Sequence, residues 1–116
     1  MAEITGTAYQ DIRDYIQGNW SYIALKSDVN AEIMRIKTDD SRVKWLHGQG
    51  AQTLILELRL TGLDFKTKPQ KISKVELYKE SSGGTPLVSE SFTTVTIEVD
   101  ADKITINLSI QVPQVA

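Results

Sequence analysis

Few side chains in this sequence could carry a reaction. His47 is the single histidine among 116 residues, and there is no cysteine. A catalytic base or a metal site needs partner groups of matching chemistry, and the sequence sets none beside His47. It shares an alternating run with Val43 and Trp45 and abuts Gly48, which reads as a partly buried or strand-end residue. Asp39-Asp40 and Asp100-x-Asp102 are the acidic pairs. Alternating carboxylates bind calcium when a glycine bend and a distant bidentate glutamate complete the loop. That pattern is absent, and both pairs fall where the chain must turn, where aspartate bonds its own backbone. Lys66, Lys68, Lys71 and Lys74 form the basic cluster. Phe65 is its only aromatic neighbour and the net charge is −2, so it lacks the stacking cationic track that nucleic acid requires. It reads as a solvated loop whose lysines keep an edge strand from pairing with other chains. Gly48-Gln49-Gly50 lacks the further glycine and the Lys-Ser/Thr of a phosphate loop and reads as a hairpin bend. No catalytic residue, metal ligand or cofactor site is assigned.

The aromatic residues are the stronger candidates. By alternation Trp20, Tyr22 and Tyr78 fall on outward faces. Outward rings stack on sugars or anchor protein interfaces, where Trp and Tyr carry much of the energy. They equally suit a bed for the N-terminal helix. Tyr9 belongs to a segment, Met1 to Tyr9, that reads as a second contact arm. Should the helix cover the rings, the contact must lie on strand edges instead.

The elements that position these residues follow from periodicity. Thr7-Ala8-Tyr9-Gln10 fits a capping box, opening a helix of about Ala8 to Gln17 with Ala8, Ile12 and Ile16 on one stripe. Gly18-Asn19 ends it. From Trp20 the period becomes two. Strands are expected at Trp20 to Lys26, Glu32 to Thr38, Arg42 to His47, Thr53 to Thr61 and Lys71 to Lys79. Leu87 to Phe92 and Thr94 to Val99 read as two short strands, or one with a kink. In Lys103 to Val112, Ile104, Ile106, Leu108, Ile110 and Val112 alternate strictly with Thr105, Asn107, Ser109 and Gln111. Side chains on a strand alternate between faces, so this run has one core face and one wet face. The loops 62–70 and 81–86 carry proline, glycine and serine. The fold class is therefore all-β: an antiparallel β-sandwich of about seven or eight short strands and one short N-terminal helix. The core is expected to hold Ile23, Leu25, Val43, Leu54, Leu56, Leu58, Val75, Leu77, Val95, Ile97 and Val99, with the row Ile104 to Ile110.

A chain of 116 residues, 41% hydrophobic and 24% charged, makes one globular domain: an N-terminal segment and helix over 1–19 and a sandwich over 20–113. The mild acidity gives no long-range pull to nucleic acid or anionic membrane. No apolar run approaches the ~18 residues of a membrane span, and no leader pattern opens the chain. A cysteine-free brick with many strand edges suits assembly by packing. It would also suit a carbohydrate-binding module, with a glycan as partner.

Ile72-Ser73-Lys74-Val75-Glu76-Leu77-Tyr78, Gly83-Gly84-Thr85-Pro86-Leu87, Ser89-Glu90-Ser91-Phe92 and Asp102-Lys103-Ile104-Thr105-Ile106 together resemble small β-rich virion proteins of tailed bacteriophages. There a strand ending in Glu-Leu-Tyr leads through a glycine turn to a Ser-Glu-Ser-Phe-like strand and a Thr-rich terminal strand. Asp40-Ser41-Arg42-Val43-Lys44-Trp45 and Ile23-Ala24-Leu25-Lys26 fit the same manner. The resemblance covers about residues 20 to 112 and carries no catalytic motif. It implies a non-enzymatic structural part of a virion assembled in the host cytoplasm: a tail, baseplate or fibre-attachment component, or a capsid decoration protein. Its partners would be other virion proteins and itself.

The register of the last strand is testable. Ile106→Asp is expected to unfold the domain by burying an unpaired carboxylate, and Thr105→Asp to be nearly silent. Equal melting temperatures for the two variants would refute the alternation.

Overall fold

The computed structural model describes residues 2–46 and 52–112. One helix, α1 (Gly6–Asn19), precedes seven strands: β1 (Tyr22–Lys26), β2 (Glu32–Lys37), β3 (Val43–Trp45), β4 (Thr53–Thr61), β5 (Gln70–Tyr78), β6 (Val88–Ile97) and β7 (Lys103–Gln111). A single 3-10 turn, Gly62–Asp64, lies between β4 and β5. The strands form two antiparallel sheets, ordered β2-β1-β5-β6 and β3-β4-β7. The fold is the expected all-β sandwich with a short N-terminal helix. His47 and Gly48-Gln49-Gly50 lie outside the described residues.

The core sits between the two sheets. Ile23, Leu25, Ile72, Val75, Leu77 and Ile97 come from the larger sheet. Leu54, Leu56, Leu58 and Leu60 of β4 face the same layer, together with Ile104, Ile106, Leu108 and Ile110 of β7. Thr105, Asn107, Ser109 and Gln111 are exposed, as the alternation requires. Two expected core residues are not in it. Val99 is 55% exposed, because the Asp102 carboxylate accepts from the amides of Glu98 (2.8 Å) and Val99 (3.1 Å) and draws the chain into a turn. Val95 faces inward on an edge strand and is still 36% exposed. β6 is one strand, and its kink has a cause. Ile72 pairs with Val95 and Lys74 with Ser91, so Phe92 to Thr94 bulge opposite the single residue Ser73.

The helix differs from its sequence reading at both ends and in its face. Thr5, not Thr7, is the cap: its hydroxyl accepts from the Ala8 amide at 3.2 Å. The buried stripe is Tyr9, Arg13 and Ile16, continued by half-buried Trp20, while Ile12 is 40% exposed. Hydropathy favoured Ile12 over Arg13. The arginine is nevertheless buried because its Nη1 donates to the Val112 carbonyl (3.4 Å) beyond the end of β7 and its Nε to Gln10. The helix runs through Gly18-Asn19, and the Trp20 amide closes it on the Ile16 carbonyl at 2.9 Å. It thereby closes one end of the sandwich and does not lie on a sheet face.

Phe65 and the 3-10 turn close the opposite end. Gly62 donates to the Asp102 carbonyl at 2.8 Å, and a Cβ there would strike the Val99 carbonyl. Gly62→Ala is expected to cost about 1–3 kcal/mol by overpacking. Gly18 is helical with open space around it, so Gly18→Ala is expected to gain about 0.5–1 kcal/mol. Urea unfolding of the two variants checks the opposite signs.

Candidate functional site

The outer face of the larger sheet is where sequence places its aromatics. Register puts Tyr22 beside Tyr78, Ala24 beside both Arg35 and Glu76, and Lys26 beside Glu32 and Lys74. Tyr78 is nonetheless 2% exposed. The Arg35 guanidinium lies 3.7 Å from its ring centroid, and the Tyr78 hydroxyl donates to Glu76 Oε1 at 2.7 Å. Arg35 Nη1 reaches the carbonyls of Glu80 and Gly83, each at 2.9 Å, and Nη2 the Glu32 carboxylate at 2.6 Å. Gly83 and Gly84 take φ of +64° and +78°, a left-handed curl that glycine adopts freely. The curl lets the 80–84 loop sit over the ring. Lys26 Nζ completes the cluster, 3.5 Å from Glu76 and 3.9 Å from Glu32.

Electrostatics follow from this packing. Burial pushes the Glu76 carboxyl up, but hydrogen bonds from Tyr78 and Ser89 and the Lys26 ammonium outweigh it, leaving the group below its ordinary range. Burial and the bond to Glu76 raise the Tyr78 phenol. Each charge in the cluster has a partner. Arg35 Nε is buried without an acceptor among the described residues, packed in the stack. The cluster is a clamp that holds a loop to a sheet.

The candidate residues therefore separate. Tyr78 and Tyr9 are buried, at 2% and 7% exposure. Trp20 is half-buried against the core. Tyr22 keeps part of its surface. Outward orientation of Tyr78 did not mean exposure, because Arg35 and the loop cover it. In the proposed contact arm, Ala2 to Thr5 are exposed, Ile4 at 52%, while Tyr9 is anchored in the core. The lysines are not an edge device: β5 lies between β1 and β6. Lys68 Nζ donates to the carbonyls of Gly62 and Phe65 and pairs with Asp100 at 2.8 Å. Lys74 donates to Asn30. Asp40 accepts from the Arg42 side chain and amide, which hold its carboxyl down to about 2. Arg42 Nη1 also donates to Asp64 at 2.8 Å. These aspartates organise turns. Among the described residues no group of three or more His, Cys, Asp or Glu is placed to hold a metal ion, and no helix is long and apolar enough to cross a membrane.

The described residues also form concavities, of which two bear on binding. The larger, about 560 Å³, runs along β2 beside residues 64–67. Its acidic groups Glu32 and Asp64 are already engaged by Arg35 and Arg42. The second, about 410 Å³, opens between the edge strands β6 and β7. Phe92, Val95, Ile104 and Ile106 give it an apolar floor, and Glu90 and Asn107 its rim. Here Val95 is 36% exposed and Phe92 half-buried, with the buried Ile104 and Ile106 beneath them. Sequence reasoning missed this surface because strand order is not written in alternation. The one local signal is the run of apolar residues and threonine from Phe92 to Ile97 in β6, which stays mostly exposed.

Compared with protein-family models, curated proteins and solved structures, the chain matches none.

The clamp gives a test. Arg35→Lys keeps the charge but loses the planar fork that stacks on Tyr78 and bonds two carbonyls. It is expected to speed proteolysis within 80–85 at least several-fold and to cost about 1–3 kcal/mol. Limited digestion followed by mass mapping checks it, with unchanged cleavage counting against the clamp.

Proposed function

We propose that this chain is a non-enzymatic structural component of a bacteriophage particle, in the tail, baseplate or fibre attachment, assembled in the host cytoplasm. It works through contacts with other virion proteins and with itself. The observation that carries this reading is the open side of the sandwich. Two edge strands lie one above the other there and leave an apolar groove between them. Val95 and Phe92 stay open to solvent there beside two unpaired strand edges, the kind of surface that another chain meets. The resemblance of residues 20 to 112 to phage virion proteins supports the particle context. A role as capsid decoration would use the same surface.

A carbohydrate-binding module is less well supported. Sugar stacking needs an open aromatic face, and the Tyr78 ring is occupied by Arg35 at 3.7 Å. Trp20 and Tyr22 keep only part of their surface, and the exposed Tyr15 ring lies on the helix beneath the Lys79 ammonium.

Mass spectrometry of density-purified particles is the direct test. The chain is expected among the particle proteins at a fixed copy ratio to the other tail components. Its absence from intact particles, with binding of the monomer to a defined glycan, would replace this reading by the module.

A further inference from the structure

We propose that β7 pairs antiparallel with the β7 of a second copy, centred on Asn107, so that two sandwiches join edge to edge; this rests on the reading that the chain works through protein contacts.

The four edge strands differ in how they resist such pairing. β2 carries Glu32, Arg35 and Lys37 in six residues, with a register shift against β1. β3 is three residues long. β6 bulges at Phe92 to Thr94, and its Glu90 sits opposite the inward-facing Val75, placing a charge on the core side of the edge. Short length, bulges and inward charges are the usual devices against edge pairing. β7 has none of them. It makes nine consecutive pairs with β4 without a shift. It contains no proline, and its one charge, Lys103, is at its first residue.

The free backbone groups can be assigned. The Val112 amide donates to the Gln52 carbonyl, and the Asp102 carbonyl accepts from Gly62. Even-numbered residues thus face β4, and alternation turns the amides and carbonyls of Lys103, Thr105, Asn107, Ser109 and Gln111 to the open side. In an antiparallel pairing about Asn107, Lys103 meets Gln111, Thr105 meets Ser109 and Asn107 meets itself. Five pairs with two bonds each satisfy every free group, ten bonds in all.

Chemistry selects a second copy as the occupant. A two-fold axis normal to the sheet keeps faces together, so Ile104 falls beside Ile110 and Ile106 beside Leu108 on the core side. Thr, Ser and Asn fall together on the wet side. The two Lys103 residues sit at opposite ends, where a parallel pairing would set them side by side. The exposed Val95 and the groove between β6 and β7 lie on the same open side and are covered by the second sandwich. A seam ~30 Å long and two sheet layers deep, ~20 Å, spans about 600 Å² before side-chain relief is counted. That approaches the roughly 800 Å² per partner of a stable interface.

The test uses the full chain in sedimentation equilibrium. Thr105 and Ser109 are exposed, and each meets the other across the seam. Thr105→Glu with Ser109→Glu is expected to weaken dimerisation roughly tenfold or more through like charges. Thr105→Glu with Ser109→Lys is expected to keep it within a few-fold of wild type. Should the first variant lose its circular dichroism spectrum, cross-linking replaces it. Hydrogen-bonded pairs bring Cα atoms to ~5.5 Å, within disulfide range, and the chain has no other cysteine. Asn107→Cys is then expected to oxidise to a covalent dimer, and Lys44→Cys on β3 to remain monomeric. Equal behaviour of the two charge variants, or equal cross-linking at 107 and 44, overturns the seam. A wild-type monomer at about 1 mM, a concentration that reveals even weak association, overturns the dimer. Its presence in particles would still stand on the mass spectrometry.

Discussion

The nine uninterrupted pairs between β4 and β7 are the constraint on which the rest of the molecule depends. They join the fourth strand to the last, so the chain cannot complete its core until its end returns. They also fix which side chains face inward. A slip of one residue would turn Ile104, Ile106, Leu108, Ile110 and Val112 to water together. At ~1.5–3 kcal/mol for each buried aliphatic side chain, that is on the order of 10 kcal/mol. A domain of this size has about 5–15 kcal/mol in total, so only one register is compatible with a folded chain. The second sheet packs its own row of Ile23, Leu25, Val75 and Leu77 on that surface, and α1 and Phe65 close the ends.

Long-range polar contacts tie the periphery to this frame. Arg13 joins the helix to the exit of β7, and Arg42 joins the β2–β3 turn to the 3-10 turn through Asp40 and Asp64. Arg35 joins β2 to the loop after β5. In each case the planar guanidinium bonds groups from separate segments, which a lysine ammonium does less well. Glu57 is a further buried charge on the outer face of the smaller sheet, held by Arg59 at 2.6 Å.

Where the sequence was informative, strict alternation made it so. Ile104 to Val112 and Leu54 to Leu60 could be assigned to a core face because their apolar residues alternate with polar ones, Ile55 being the one interruption. The same rule failed where another segment covers the wet face. Tyr78 and Glu76 point outward by period and are buried in a cluster with Lys26 and with Arg35, which also holds the 80–84 loop and is far away in sequence. Arg13 looked like surface because hydropathy has no knowledge of the Val112 carbonyl that receives it. Val99 continued an alternation that Asp102 had already ended. The open side at β6 and β7 was illegible for a different reason: strand order is set by how the loops route the chain between two sheets, and alternation is silent on that.

The clamp over Tyr78 has a consequence for how this protein can diverge. Arg35 recognises the carbonyls of Glu80 and Gly83, groups that every residue type possesses. Ser81, Ser82 and Thr85 are exposed and make no part of that contact. The loop's outer chemistry can therefore drift freely, provided its length and its two left-handed glycines are kept. The surface that the protein presents there can be rewritten without renegotiating the fold beneath it.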